Sequence, residues 1–165
     1  MVSFATDACL TGCGGLSSTE YFHSIFPDFV PTICTAIHHL ELIIVMVAVR
    51  LWGQHWRGRR IQLFCDNEAV VSVINTGRTK DTVLATCLRE IWLQSAQGEF
   101  ELCAVHLSSQ ANRTADYLSR WHISNHYRLA LQSERSIVHL TRVHLPDSIF
   151  KFDDTLKLFL CSAST

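Results

Sequence analysis

Four carboxylates stand out in the sequence because each lies in or beside an apolar segment: Asp7, Glu41, Asp66 and Asp116. A carboxylate at the end of a buried strand is costly unless it is paired or binds a metal ion. Four at one site would raise one another's pKa, and divalent cations would offset their repulsion. Oxygen ligands favour Mg²⁺ or Mn²⁺, and two such ions about 4 Å apart activate water for phosphodiester cleavage. The sequence therefore predicts a metal-dependent hydrolytic site, provided that the fold brings the four carboxylates together.

The segments that must position these carboxylates begin with strands. VSFATDA, residues 2–8, is short, partly β-branched and followed by a glycine turn, which predicts the first strand. A second and a third strand are expected within residues 13–36. The apolar residues of 38–56 cover most of a helical circumference and predict a buried helix. RRIQLFCDN, residues 59–67, predicts a central strand that ends at Asp66.

The second half of the chain alternates between helices and strands. A helix is predicted over EAVVSVIN, residues 68–75, because Asn67 or Asp66 can cap its start and Gly77 can end it. A longer helix from Asp81 to Gln97, a strand over 100–106 and a short helix over 112–119 follow. Together these elements predict an α/β sheet whose first strands are antiparallel and whose later strands are parallel.

Four motifs of the sequence occur together and in a fixed order. TDACLTGCGG, HHLEL, LFCDNEAVVSVINTG and VHLSSQANRTADYLSR resemble the active-site motifs of ribonuclease H. More narrowly, they resemble the ribonuclease H domain of retrotransposon polyproteins, and CDNEAVVSVINTGRTKD with LREIW is most similar to the tyrosine-recombinase elements of DIRS and Ngaro type. The resemblance covers residues 3–121 and implies an RNase H-like mixed five-stranded sheet of order 3-2-1-4-5, flanked by helices. Residues 1–121 would form the catalytic domain, and 122–165 a C-terminal extension or linker.

The resemblance also implies roles for individual residues. Asp7, Glu41, Asp66 and Asp116 match the four acidic ligands of two Mg²⁺ ions, for which Mn²⁺ can substitute. His106, ten residues before Asp116, matches a mobile histidine that assists the water or product release. Ser108 and Ser109 stand where the family often carries Pro-Gly, and only Arg78 and Lys80 stand in the region of its basic protrusion. The residues expected to contact substrate are Gly12, Gly14, Asn67, Asn112 and Arg78.

The function implied is a metal-dependent endonuclease that hydrolyses the RNA strand of RNA/DNA hybrids during reverse transcription of a retroelement. Its partners would be the hybrid and an adjoining reverse transcriptase domain. Two alternatives stay open at this point. One is a catalytically weak connection or interaction module of a reverse transcriptase that keeps the fold. The other is a DNA-cutting core of the integrase or transposase type.

Composition limits the classes of protein that the chain can belong to. With 165 residues, 48% hydrophobic and 18% charged, it is typical of a globular domain, and its net charge of −1 means that contact with nucleic acid must come from local clusters. The basic group Arg57, Arg59 and Arg60 is most simply a solvated turn. Seven cysteines without a ligand or disulfide pattern predict reduced thiols in an intracellular protein, cytoplasmic or nuclear. The apolar run at 40–49 is expected to be too short to span a membrane.

Overall fold

The first half of the chain forms three strands and a long helix. The structure is a computed structural model and describes residues 1–152. The strands are β1 (Val2–Ala8), β2 (Gly12–Leu16) and β3 (Glu20–Ile25). A short helix α1 (Val30–Ile33) precedes the long helix α2 (Ile37–Trp52), which continues into a 3-10 turn, Gly53–His55.

The second half alternates between strands and helices, as the sequence pattern predicts. It contains β4 (Arg60–Cys65), α3 (Glu68–Thr76), α4 (Thr82–Gly98), β5 (Glu101–His106) and α5 (Arg113–Ser119). Beyond these lie α6 (Asn125–Gln132), the turn Arg135–Ile137, β6 (Thr141–Arg142) and the turn Asp147–Phe150.

The strands form one mixed sheet in the order β5-β4-β1-β2-β3-β6. The first three strands are antiparallel, whereas β4 is parallel to both β1 and β5. The predicted order 3-2-1-4-5 is therefore confirmed. The sheet has six strands rather than five, because β6 adds in parallel to the free edge of β3. This strand has two exposed residues, so no apolar alternation marks it in the sequence.

Helix α2 forms the centre of the core. Every residue from Leu42 to Val49 is at most 1% exposed, and Trp52 packs against Phe4 and Phe22 of the sheet. With its 3-10 turn the helix runs over 19 residues, Ile37–His55, and by length and composition alone it could cross a membrane. The expectation that this run is too short was therefore wrong. Since 72% of its most apolar window is buried inside the domain, its packing is that of a core helix.

The start of α3 shows which of two neighbouring residues, Asp66 or Asn67, caps this helix. The Asn67 side chain accepts a hydrogen bond from the Val70 amide at 3.2 Å, so Asn67 is the N-cap of α3. Gly77 follows the helix with a φ of 67°, a left-handed conformation that glycine adopts without strain. Asp66 is therefore not the residue that caps α3.

The chain after residue 121 packs onto the sheet and its helices as far as the structure describes it. Helix α6 contacts α5, and β6 pairs with β3. Phe150 is fully buried and meets Phe26 edge-on, with ring centroids 6.0 Å apart. Arg50 donates hydrogen bonds to the carbonyls of Ile149 and Lys151. A domain boundary at 121 stays a prediction, and residues 153–165 of the predicted extension lie outside the described part.

Candidate active site

The four predicted carboxylates come from four separate elements and meet at one edge of the sheet. Asp7 lies near the end of β1, Asp66 directly follows β4, and these two strands are parallel neighbours. Glu41 is on the second turn of α2, and Asp116 is on α5. All four side chains line one open cleft with a volume of about 670 Å³. The structure thus brings together residues that are up to 109 positions apart, Asp7 to Asp116.

Two of these carboxylates are buried, and neither forms an ion pair within the described residues. Asp7 is 4% and Glu41 3% exposed. Burial raises the pKa of Asp7 to about 7; Asp66 and Asp116 add to that rise, and a hydrogen bond from Ser119 and the charge of Arg120 oppose it. Burial also raises the pKa of Glu41 well above its ordinary value, with Asp7 and Asp66 contributing. Among the described residues, Glu41 Oε2 has no hydrogen-bond partner.

This donor set fits a hard divalent cation. One oxygen each of Glu41 and Asp66 lies within 4.8 Å of the other and of Cys65 Sγ. Burial raises the pKa of Cys65 to about 12, so the thiol stays protonated and is a poor ligand. The oxygens are the ligands that Mg²⁺ and Mn²⁺ prefer, and a cation would satisfy the unpartnered oxygen of Glu41.

The loop after β5 is tied to Asp66. Ser109 Oγ donates to Asp66 Oδ2 at 2.9 Å, and His106 Nε2 donates to the Asp66 backbone carbonyl at 3.2 Å. Ser108 accepts a hydrogen bond from the Ala111 amide, so serine hydroxyls organise the turn in which Pro-Gly was expected. His106 is exposed at the end of β5. Its catalytic role stays a prediction.

Helix α5 supplies two contacts that sequence reasoning missed. Ser119 Oγ lies 2.5 Å from Asp7 Oδ2 and 2.9 Å from the Asp116 carbonyl, so its single hydroxyl proton can serve either oxygen. Arg120 Nε donates to Asp116 Oδ1 at 2.8 Å. Both residues lie three or four positions after Asp116, on the same helical face, and this spacing was the available signal. Ser109, the third missed residue, had no such signal because its contact spans 43 positions.

Three residues that were expected to contact substrate have structural roles in the site. Asn112 is 2% exposed, and its Nδ2 donates to the Thr6 carbonyl at 3.1 Å, so it anchors the loop to β1 rather than facing solvent. Gly12 and Gly14 let α5 approach β2. A Cβ on Gly14 would lie 2.3 Å from Leu118 Cβ, and one on Gly12 would lie 2.7 Å from the Ser119 carbonyl oxygen. These three residues therefore set the position of α5 and of its loop.

The other two expected contacts lie around α3. The Asn67 side-chain oxygen is already used by the Val70 amide, and Arg78 is exposed just after Gly77. Neither lines the cleft that the four carboxylates share. Contact with substrate stays a prediction for all five residues, Gly12, Gly14, Asn67, Asn112 and Arg78.

The strand order, with α2 and α5 packed against β1 and β2, defines an RNase H-like α/β fold. Two RNase H1 proteins are among the solved structures that are similar to this chain. RNase H1 from the halophilic archaeon Halobacterium salinarum NRC-1 is 13% identical, with a TM-score of 0.59 over 71% of this chain and 92% of that one. LC11-RNase H1, solved in complex with an RNA/DNA hybrid, is 16% identical, with a TM-score of 0.53 over 75% of this chain and 100% of that one. No sequence-family model and no curated protein sequence matches the chain. The fold is thus RNase H-like. At sequence identities of 13% and 16%, the likeness to these two proteins shows the fold alone.

Proposed function

We propose that this chain is a metal-dependent endonuclease that hydrolyses the RNA strand of RNA/DNA hybrids. The observation that carries the proposal is the convergence of Asp7, Glu41, Asp66 and Asp116 in one cleft, where a buried Glu41 oxygen has no partner among the described residues. A protein of the same fold was solved with such a hybrid, which supports this class of substrate.

The four carboxylates would hold two divalent cations, Mg²⁺ or Mn²⁺. When bound, the ions would lower the pKa of a water molecule and offset charge at the scissile phosphate. Hydrolysis would yield a 5′-phosphate and a 3′-hydroxyl. Asp7 and Glu41 must be ionised to act as ligands. Because burial raises the pKa of both, loading of the site should improve as the pH rises, and for Asp7 this rise is through its pKa of about 7.

The remaining residues of the site orient these carboxylates. Ser109 holds one oxygen of Asp66, and Ser119 holds one oxygen of Asp7. Arg120 pairs with Asp116 and lines the same cleft. If Asp116 bound a cation instead, the Arg120 guanidinium would be free to contact the substrate. His106 is exposed and donates to the Asp66 carbonyl, and in this proposal it would move a proton between the site and solvent.

The same proposal includes a biological setting. We infer a retroelement polyprotein of DIRS or Ngaro type, in which an adjoining reverse transcriptase domain would supply the hybrid. The resemblance of CDNEAVVSVINTGRTKD and LREIW supports this origin. An intracellular location, cytoplasmic or nuclear, is supported by the six free cysteines in the described part of the chain.

The test uses three labelled duplexes: an RNA/DNA hybrid, double-stranded DNA and double-stranded RNA. Each is incubated with the protein in Mg²⁺, in Mn²⁺ and in a chelator. We expect cleavage of the RNA strand in the hybrid alone, dependent on metal and lost in Asp66→Asn. The matched control is Asp28→Asn, because Asp28 is exposed and does not line the cleft. Cleavage of duplex DNA would favour the integrase or transposase alternative, and no cleavage with either metal would favour a connection module.

A further inference from the structure

Basic and aromatic side chains gather around Trp121, directly after Arg120 in the chain. The ring of His23, from β3, stacks on Trp121 with centroids 4.3 Å apart. The guanidinium carbons of Arg128 and Arg142 lie 4.3 Å and 5.7 Å from the Trp121 ring centroid. We call these four residues, His23, Trp121, Arg128 and Arg142, the Trp121 cluster.

The Trp121 cluster is assembled by the chain that follows the last carboxylate motif. Arg128 lies on α6, and its Nε donates to the Trp121 carbonyl at 3.0 Å. Arg142 is on β6, which reaches the cluster by pairing with β3. Because His23 and Arg128 both pack on the Trp121 ring, the ring has little surface left for a nucleotide base. The guanidinium groups are therefore the parts of the cluster suited to a ligand.

The charge of the cluster is not neutralised within the described residues. Neither Arg128 nor Arg142 forms an ion pair there, whereas Arg57 pairs with Glu99 and Arg60 with Glu101. Burial lowers the pKa of His23 to about 4, and Arg142, His144, His122 and Arg128 add to that effect, so several basic groups lie near His23. From residue 120 to 144 the sequence has four arginines and one acid, Glu134, in a chain whose net charge is −1. Such a local excess of positive charge suits an anionic partner.

The cluster adjoins the acidic cleft. His122 Nε2 is hydrogen bonded to Thr11 Oγ1 at 2.7 Å, and Thr11 lines the cleft together with Arg120 and Ile123. A polyanion that enters the cleft can therefore continue onto the guanidinium groups beside it. Arginine binds phosphate with several N–H donors, and phosphate contacts contribute most of the affinity of a duplex for a protein.

We propose that the Trp121 cluster binds the phosphate backbone of the duplex that extends from the cleft, through Arg128 and Arg142. The inference rests on the proposed function for the identity of that duplex as an RNA/DNA hybrid. The chain after residue 121 would then contribute part of the affinity for substrate. The net charge of −1 means that this affinity must come from local basic groups.

The test measures binding of a fluorescently labelled RNA/DNA hybrid, by anisotropy in a chelator and over a range of salt concentrations. In Arg128→Gln/Arg142→Gln we expect the affinity at ~0.1 M salt to fall about 10- to 100-fold, and the logarithmic salt slope to flatten by roughly 2, one unit for each phosphate that an arginine no longer neutralises. The matched control is Arg57→Gln/Arg60→Gln, which removes the same charge from arginines that already have carboxylate partners. We expect it to bind within about 3-fold of the unmutated chain.

Two further variants separate charge from folding. Arg128→Lys/Arg142→Lys keeps both charges and should keep most of the salt slope. If thermal melting shows that the glutamine pair is unfolded, Arg142→Gln alone serves instead, because Arg142 is exposed, and its slope should flatten by about 1. An unchanged affinity and slope in the folded glutamine variant would overturn the proposal, as would an equal loss in the control pair. So would a poly-glutamate competitor that displaces the hybrid as well as unlabelled hybrid does.

The chelator makes this result independent of cleavage. If the chain binds the hybrid through the cluster but cleaves no duplex, the binding role of the cluster is supported and the proposed function is wrong. Cleavage of the hybrid by a chain whose glutamine pair binds normally would do the reverse.

Discussion

Within residues 1–152, two groups of side chains have the composition of a metal site, and they differ in how their polar atoms are hydrogen bonded. One joins Glu41 and Asp66 in the cleft, and the other joins His38, His39 and Asp81 between the starts of α2 and α4. In the second group, His39 Nδ1 accepts from the Thr35 amide, and its Nε2 donates to Asp81 Oδ2 at 2.7 Å.

His39 and Asp81, which we call the His39 pair, have hydrogen-bond partners for their polar atoms without a metal ion. Since Nδ1 accepts a hydrogen bond, Nε2 carries the proton and has no lone pair for a metal ion. Asp81 Oδ1 accepts from the Leu84 amide and caps α4. The cleft is the opposite case, because Glu41 Oε2 is buried and unpartnered within the described chain. A buried polar atom without a hydrogen-bond partner therefore distinguishes the candidate active site from a structural cluster better than residue type does.

Replacing one member of each group by glutamine should have very different effects on cleavage. We expect Glu41→Gln to lower hybrid cleavage on the order of 1000-fold, because it removes a proposed ligand of the reacting centre. His39→Gln should leave the cleavage rate within about 3-fold when measured well below its melting temperature. Single-turnover cleavage assays with excess protein compare the two. Equal losses in both variants would mean that the His39 pair also takes part in the reaction.

The pH dependence of stability should have opposite signs in the two groups. Because the folded-state pKa of Asp7 is about 7, against an ordinary 3.8, the folded chain keeps a proton that the unfolded chain releases between these values. The free energy of unfolding of the metal-free chain should then be highest below pH 3.8 as far as Asp7 is concerned, and fall by several kcal/mol as the pH rises to about 7.

Chemical denaturation in a chelator, repeated from pH 4 to 8, measures this slope. Asp7→Asn should flatten it and stabilise the chain at pH 8, and Mg²⁺ at pH 8 should stabilise the unmutated chain more than this variant. If Asp7→Asn has the same slope as the unmutated chain, the buried carboxylate is not the source of the pH dependence.

The His39 pair should respond on the acid side. Burial acts to raise the pKa of Asp81, but hydrogen bonds from His39 and from the Leu84 and Val83 amides outweigh it and hold the pKa below its ordinary 3.8. The stability that Asp81 contributes is therefore present above that value and is lost as the pH falls through its lower, folded-state pKa. We expect His39→Ala to lower the free energy of unfolding by about 2 kcal/mol at pH 7, because it removes the packing of a buried ring and leaves an unpaired acceptor on Asp81.

Denaturation at pH 7 measures that loss, with His38→Ala as the control. His38 Nε2 is 3.8 Å from Asp81 Oδ2 and its side chain is 37% exposed, so its removal should cost well under 1 kcal/mol. A larger loss in the control than in His39→Ala would contradict the assignment of His39 as the bridge between α2 and α4.

The sequence predicted the parts of the fold that depend on local pattern. The strand that carries Asp7, the buried helix that carries Glu41 and the central strand before Asp66 each have a local composition or pattern that predicts them. Their order along the chain predicted a sheet with antiparallel strands first and parallel strands later, and the resemblance to ribonuclease H supplied the strand order that the structure confirms. The features that were not predicted depend on contacts between residues distant in sequence. β6 pairs with β3 across about 120 positions and has only two residues, and the packing of Gly14 against Leu118 appears only when α5 lies on β2.

The candidate site shows the same division. Residue type and order led to its four carboxylates, but not to the hydroxyls that hold them, because serine is common in turns and its partners depend on the tertiary structure. Ser119 and Arg120 had a helical spacing to Asp116 that could have been used. Substrate contact by Asn112 stays a prediction, and its role as the anchor of the loop to Thr6 follows only from its burial and its hydrogen bond in the tertiary structure.

The smallest predicted effect concerns Ser109, whose hydroxyl satisfies one oxygen of Asp66 at 2.9 Å. We expect Ser109→Ala to weaken the activation of cleavage by Mg²⁺ about 5- to 10-fold, because a hydrogen bond from an exposed hydroxyl to a carboxylate contributes about 1 kcal/mol. Ser109→Thr keeps the hydroxyl and should restore most of this loss. Titration of the cleavage rate with Mg²⁺ measures the effect as a shift in the half-saturating concentration. A loss in Ser109→Thr as large as in Ser109→Ala would mean that the loop tolerates no change at this position, and that the hydrogen bond to Asp66 is not the cause.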